Sequence, residues 1–429
     1  MNQRVFERPT TARAAAYALL QGAVRSRRPV DDQFAAAVAG LEPRDRGFAR
    51  MTVATTLRRL GQIDDVLRRF VTDPAPPAED ALRIGAAQVL FLDTPPHAAV
   101  DTSVELVKRK GQDRLAGLVN AVMRRVVADG KAIVAEQDAA RLNTPSWLFE
   151  RWVAAFGDAA ARDIGAAHLC EPSLDLTMKS DRSEEALGGQ RLPTGSIRLT
   201  GGGRIEDLPG FAEGDWWVQD AAAALPAKLL LAAGDTTGPI IDLCAAPGGK
   251  TAQLAAAGRN VTAVDMSKPR MALLKDNLSR LSLTAETVIA DIATWRPAVP
   301  AAAILLDAPC SATGTIRRHP DLPHIKRAED FARFPDIQRR LLAAAADMAR
   351  PGGVLVYSVC ALEPAEGEGV VDAFLADRAD WQRDIITAEM VGGECAFVTS
   401  RGDLRTLPSM WPELGGLDGF YAALLRRTR

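Results

Sequence analysis

From residue 238 onward, short apolar runs alternate with helical patterns, and this alternation constrains the fold more than any other feature. The runs are Pro239–Leu243, Val261–Val264, Thr287–Ala290, Ala303–Leu306 and Gly353–Tyr357, with a late strand in GFYAALLRR. Strands that each lead into a helix read as βαβ units, and hence as a parallel sheet. The expected fold class is α/β with a Rossmann-like core. Ligands of such sheets sit beyond the carboxyl ends of the strands. Asp242, Asp265, Asp291 and Asp307 stand at or near those ends in four consecutive strands. A single aspartate there reads as a helix cap or a turn. Four in register read as a binding site.

The first strand runs into Asp242-Leu243-Cys244-Ala245-Ala246-Pro247-Gly248-Gly249-Lys250-Thr251. Its tail imitates a phosphate-binding P-loop, but that motif needs glycine where Cys244 stands. The GxGxxG dinucleotide pattern is also absent, which weakens a dehydrogenase reading. Backbone groups for an amino-acid moiety, one acid for a ribose and one for an adenine edge suit S-adenosylmethionine, a nucleoside cofactor without phosphate.

Two cysteines follow strands on the same sheet edge: Cys310 in DAPCSATG and Cys360 in YSVC. Methyl transfer to oxygen or nitrogen needs no cysteine. Carbon 5 of a pyrimidine does, because it is not nucleophilic until a thiolate adds to C6 and makes the ring an enamine. Asp307, three residues before Cys310, is placed to act as an acid toward the ring nitrogen. Position alone favours Cys310 as the nucleophile, by analogy with the Pro-Cys of DNA cytosine methyltransferases, and does not settle the assignment. A lone buried cysteine is ordinarily a small hydrophobe; two beside an acid and a cofactor loop favour chemistry.

The other totals bound the rest. The chain has 429 residues and a net charge of −2. Residues 1–130 carry 20 Lys/Arg against 15 Asp/Glu, a surplus of +5 that leaves −7 for the remainder. A basic front hints at a polyanionic partner. Five widely spaced cysteines and four histidines indicate neither a disulfide framework nor a metal site, and they fit a reduced, cytoplasmic compartment. No apolar run is long enough to span a bilayer. Ala14–Val24 reads as an amphipathic helix rather than a signal peptide.

Residues 1–130 read as one all-helical domain. AEDALRIGAAQVLFL has Leu82, Ala86, Val89 and Leu90 on one face, with Asp80 near its start complementing the helix dipole. GFARMTVATTLRRLGQIDDVLRRFV reads as a further helix, and RLAGLVNAVMRRVVADG as one that stops at Gly130. Residues 131–215 read as a separate small α+β subdomain that opens with a helix at PSWLFERWVAAFG. Residues 216–429 form the expected catalytic domain. Lys108, Arg109 and Lys110 in the front domain, and Arg317 and Arg318 after DAPCSATG, are candidate contacts for RNA phosphates, with solvated surface as the plain alternative.

CAAPGGKT, VDMSKPR, DAPCSATGT and YSVCALEPAEGEGVV occur in this order. Together they resemble the successive motifs of the Sun/Fmu family of RNA cytosine-5 methyltransferases, closest to the RsmB type with a NusB-like helical domain in front. The resemblance covers nearly the whole chain; PSWL, Val218-Gln219-Asp220 and Asp418-Gly419-Phe420 also match. It implies that Cys360 is the nucleophile, that Cys310 helps proton removal and product release, and that Asp307 binds the base. It also implies that Cys244, Ala245, Ala246, Pro247, Gly248, Gly249, Lys250, Asp265, Asp291 and Asp307 hold the cofactor.

The implied protein is a cytoplasmic, monomeric enzyme acting on RNA, small-subunit ribosomal RNA foremost. The other readings are transfer RNA as substrate, a NusB-like assembly factor with an inactive transferase domain, and a DNA cytosine methyltransferase. The chain departs from the family where glycine is common at Ala312, and where Thr and Ser commonly flank the nucleophile in place of Val359 and Ala361. It departs also at Leu176-Thr177-Met178-Lys179-Ser180, where Arg and Asn are usual and Lys179 keeps a positive charge.

Overall fold

The protein is described from a computed structural model covering residues 11–201, 203–234 and 237–428. Residues 1–10 of the expected helical domain lie outside the described residues. The chain divides into two compact units: residues 1–170 with 316–328, and residues 171–315 with 329–429. The first unit thus takes in the expected helical domain and continues to Cys170. The helices Ala139–Leu142, Ser146–Phe156 and Asp158–Ala167 pack within the first unit.

The first unit is helical throughout its described residues. Its core gathers Tyr17, Leu20, Val53, Leu57, Ile63, Leu82, Ile84, Val107, Val119 and Met123. The amphipathic segment at its front is the helix Ala12–Ser26, started by Thr11, whose hydroxyl accepts from the Ala14 amide at 3.2 Å. Three sequence expectations change here. The long pattern from Gly47 to Val71 is two helices, Pro43–Arg58 and Leu60–Arg68, because Arg59 leaves helical geometry at φ −110° and ψ 15°. Gly130 does not stop its helix, which runs Ala116–Ala135. A Cβ at Gly130 would meet Leu90 Cδ2 at 2.8 Å, so the glycine permits close helix packing. Asp80 is fully buried, paired with Arg25 at 2.9 Å and Arg83 at 3.3 Å; it is a core ion pair rather than a dipole partner.

The second unit opens with a four-stranded antiparallel sheet: β1 (Leu174–Met178), β2 (Gln190–Arg191), β3 (Ile197–Leu199) and β4 (Trp216–Val218), in the order β2-β3-β1-β4. Its apolar face buries Leu176, Ile197, Leu199 and Trp216. Arg198 and Asp175 pair across β3 and β1, 2.7 Å apart and nearly inaccessible. Lys179 donates to the carbonyl of Leu281 at 2.6 Å, so its charge ties this sheet to the rest of the unit.

The larger sheet contains β5 (Ile240–Leu243), β6 (Val261–Asp265), β7 (Glu286–Ile289), β8 (Ala301–Asp307), β9 (Ala349–Val359), β10 (Trp381–Asp384), β11 (Leu404–Thr406) and β12 (Phe420–Arg427). Its order is β10-β12-β9-β8-β5-β6-β7, with β11 on β12. The strands from β7 to β9 are parallel, and β12 joins β9 antiparallel. Strands buried on both faces need apolar residues at every position; Ala302 to Leu306 and Val354 to Tyr357 are buried without alternation. β5 has β6 on one side and β8 on the other, so the order reverses there. Ligand-binding crevices of such sheets open at that reversal.

Candidate active site and cofactor pocket

The loops that leave β5 and β8 flank the reversal, and β9 lies beside β8. Asp307 ends β8 and is in register with Ser358 of β9. That register brings the Ser358 hydroxyl to Asp307 Oδ1 at 3.0 Å. From the β5 loop, Lys250 sends its ammonium to Asp307 Oδ2 at 2.8 Å. Each carboxylate oxygen is therefore fixed by a different element, one by β9 and the other by the start of the helix Gly249–Ala256. Lys250 is nearly buried; burial works against its charge, but the pairing with Asp307 outweighs it and the net shift is upward.

Beyond Asp307 the chain turns through Cys310, and beyond β9 it reaches Cys360. Their sulfurs are 3.4 Å apart. The two loops are stitched together: the Gly314 amide donates to Cys360 O at 3.0 Å, and the Leu362 amide to Thr313 Oγ1 at 2.9 Å. A Cβ at Gly314 would stand 1.9 Å from the Gly419 carbonyl oxygen, so only glycine allows this approach. Ala312, where the family often has glycine, sits at φ +62°.

The Cys310 thiol is pushed well up, first by its hydrogen bond with Cys360 and then by burial. The two sulfurs are within hydrogen-bond distance, and either can donate to the other. Val359 and Ala361, which replace family hydroxyl residues, are fully buried.

The cofactor loop is held from below. Thr251 donates to Asp242 Oδ2 at 2.5 Å, while Asp242 Oδ1 is buried without a protein partner. Burial raises the Asp242 carboxyl to about 7. Asp265, at the end of β6, accepts from the Ala246 amide at 3.2 Å and the Ser267 amide at 2.8 Å. Arg270 pairs with Asp265 at 3.4 Å and also donates to the Ala246 carbonyl, so it belongs to the wall of the pocket. The Cys244 thiol is pushed up by burial, then by Asp307, Asp265 and Asp242, which places these three acids around one loop. Asp291 follows β7, is exposed, and accepts from the Ala293 amide at 2.9 Å.

Arg317 is not at hand for a phosphate on the surface: it is 1% exposed, in the helical unit. Lys108, Arg109 and Lys110 are exposed at a helix end. Sequence reasoning missed Ser358, Gln338, Glu363 and Glu366. The last two lie within ALEPAEGEG, where acids between small residues and next to a nucleophile were the available signal. Among the described residues no group of His, Cys, Asp and Glu is arranged to hold a metal, and no helix is long and apolar enough to cross a membrane.

Residues 228–426 match the family described as 16S rRNA methyltransferase RsmB/F, and residues 10–128 match the NusB family. The ribosomal RNA small subunit methyltransferase B of Sodalis glossinidius is 36% identical over 417 residues, covering 91% of this chain and 92% of its own. The crystal structure of the protein PH0851 superposes with a TM-score of 0.74 at 21% identity, over 98% of this chain and 100% of that one. That of NSun6 from Pyrococcus horikoshii with SFG gives 0.56 at 20% identity, over 66% and 98%. At these identities the two structures bear on fold alone. The methyl donor of the family is S-adenosylmethionine. The pocket fits it: three carboxylates and an unpartnered buried Asp242 oxygen surround the loop, which suits a cation carrying a ribose diol. With an α/β methyltransferase core, a NusB-type helical front and a relative matched over nine-tenths of both chains, this protein belongs to the ribosomal RNA small subunit methyltransferase B family.

Proposed function

We propose that the protein methylates carbon 5 of a cytosine in small-subunit ribosomal RNA through a covalent adduct between Cys360 and C6. The observation that carries this reading is the pair of sulfurs 3.4 Å apart beside the doubly held Asp307. Transfer to nitrogen or oxygen has no use for either thiol.

In this reading the target base leaves its stack and enters beside the carboxyl ends of β8 and β9. Asp307, oriented by Lys250 and Ser358, meets the ring nitrogen that gains electron density. Cys360, attacking as its thiolate, forms a bond to C6. The ring becomes an enamine, with C5 electron-rich. Bound S-adenosylmethionine supplies an electrophilic methyl group; Cys244 to Lys250, with Asp265 and Asp291, are the residues proposed to hold it.

Once C5 carries the methyl group, Cys360 is held in the C6–S bond and no longer shares a proton with Cys310. Cys310 gives that proton to solvent and takes the proton from C5. The C5–H electron pair forms the C5=C6 bond, the C6–S bond breaks, and its pair returns to Cys360. The net products are 5-methylcytosine, S-adenosylhomocysteine and one proton, with both cysteines restored.

The helical unit and the small antiparallel sheet are proposed to hold flanking RNA, by charge and shape, in a cytoplasmic protein acting as a monomer. The test is release of tritium from RNA labelled at cytosine C5. This reading predicts one tritium released per methyl transferred. Methylation without tritium release overturns it.

A further inference from the structure

Behind Cys310 lies a buried polar cluster that the reaction above does not use. Glu366 is 1% exposed and Gln338 fully buried. Glu366 Oε2 accepts from the Ser311 amide at 2.9 Å and from Gln338 Nε2 at 3.0 Å. The same Gln338 nitrogen donates to the Pro309 carbonyl at 3.0 Å. Ser311 follows Cys310 and Pro309 precedes it. Two side chains from other elements therefore grip the backbone on both sides of one cysteine. Glu363 extends the grip, accepting from Ser311 Oγ at 3.0 Å and Thr313 Oγ1 at 2.5 Å. Tyr357 in turn donates to the Glu366 carbonyl at 2.6 Å, which fixes the turn that carries the acid.

A carboxylate is an expensive way to fill this space. Burying one without a cation costs stability, and an apolar side chain would pack there without that penalty. Among the described residues no basic side chain pairs with Glu366; its partners are an amide N–H and an amide side chain, and its Oε1 is buried without a protein partner. Burial accordingly raises its pKa. The bonds that offset this cost go to the residues flanking Cys310, and none of these hydrogen bonds reaches the Cys360 side chain.

We propose that Glu366, acting through Gln338, is the positioning residue of Cys310: it sets where that sulfur stands relative to the adduct, and so governs product release while leaving adduct formation to Cys360. The proposal rests on the cysteine-addition reading above. It assigns the acid a role in one half-reaction only, which a general role in folding would not do.

Single-turnover measurement separates the halves, following the protein–RNA adduct by denaturing gel and methylated product by label. Glu366→Ala is expected to form adduct within about threefold of the wild-type rate and to release product about tenfold more slowly, in the direction of Cys310→Ala. Glu366→Gln keeps an oxygen that can accept both hydrogen bonds and is expected to restore release. The Cys310→Ala, Glu366→Ala double variant is expected to release no more slowly than Cys310→Ala alone, because both changes act on one step. Gln338→Leu, which cuts the bond to Pro309 and leaves the acid, carries the same test if Glu366→Ala does not fold. Equal slowing of adduct formation and release, or additivity in the double variant, overturns the proposal. An absence of adduct in wild type and Cys310→Ala alike overturns instead the reading beneath it, whatever the Glu366 variants do.

Discussion

Cys310 and Cys360 are 50 residues apart in the chain and 3.4 Å apart in space. The parallel register of β8 and β9, which sets Asp307 against Ser358, is what joins them. The Cys310 thiol is pushed up by its hydrogen bond with Cys360 and by burial. Position along the sequence favoured Cys310 as nucleophile, and family resemblance favoured Cys360. The geometry brings both sulfurs to one site and leaves the choice between them to experiment.

Lys250 is expected to matter to chemistry rather than to solvation. Its ammonium fixes Asp307 Oδ2 at 2.8 Å. Lys250→Met should lower kcat about 100-fold, as loss of an orienting or charge-stabilising group does. Because both residues serve one carboxylate, Lys250→Met combined with Asp307→Asn should cost less than the sum of the two. Initial rates under saturating RNA check this; a Lys250→Met enzyme with wild-type kcat contradicts it.

Asp242 predicts a pH dependence of stability. Burial raises its carboxyl from 3.8 to about 7 in the folded state. The folded protein therefore holds this proton between pH 4 and 7 while the unfolded chain has lost it. Unfolding free energy from this group falls as pH rises across that window and levels off above it, by ~2–4 kcal/mol. Asp242→Asn should flatten that part of the profile. Denaturant unfolding of both proteins at pH 5 and pH 7.5 measures the difference; identical slopes contradict the expectation.

The turn between the cysteines gives two opposed backbone predictions. Ala312 pays a left-handed penalty at φ +62°, so Ala312→Gly should be neutral to stabilising, by up to ~1 kcal/mol. Gly314→Ala would force a methyl to 1.9 Å from the Gly419 carbonyl oxygen, and should destabilise by ~2 kcal/mol or more and cripple turnover. Thermal unfolding of the pair reads both signs at once; a stable Gly314→Ala protein contradicts the close approach.

The parallel core was legible because its strands are apolar at every position and each ends in a small, acidic or glycine-rich turn, as at Asp242 to Lys250 and Asp307 to Gly314. Local chemistry of this kind survives in the sequence. What was not legible depends on contacts between distant segments. Ser358 finds Asp307 only through strand register, and Glu366 finds Ser311 only after β8 and β9 are neighbours. Gly130 read as a helix stop because a glycine ends helices more often than it admits a leucine from another helix. Arg317 read as a surface cation because an arginine pair in a loop carries no local sign of burial. Asp80 misled in the same way, since the cations that surround it come from a helix 55 residues earlier and from its own next turn.

The central claim, that Cys360 is the sulfur that bonds the base, is tested most directly by peptide mapping of the RNA–protein adduct trapped on Cys310→Ala. The account predicts a cytosine attached to the peptide containing Cys360, and no adduct from Cys360→Ala. An adduct that persists in Cys360→Ala and maps to Cys310 would contradict it.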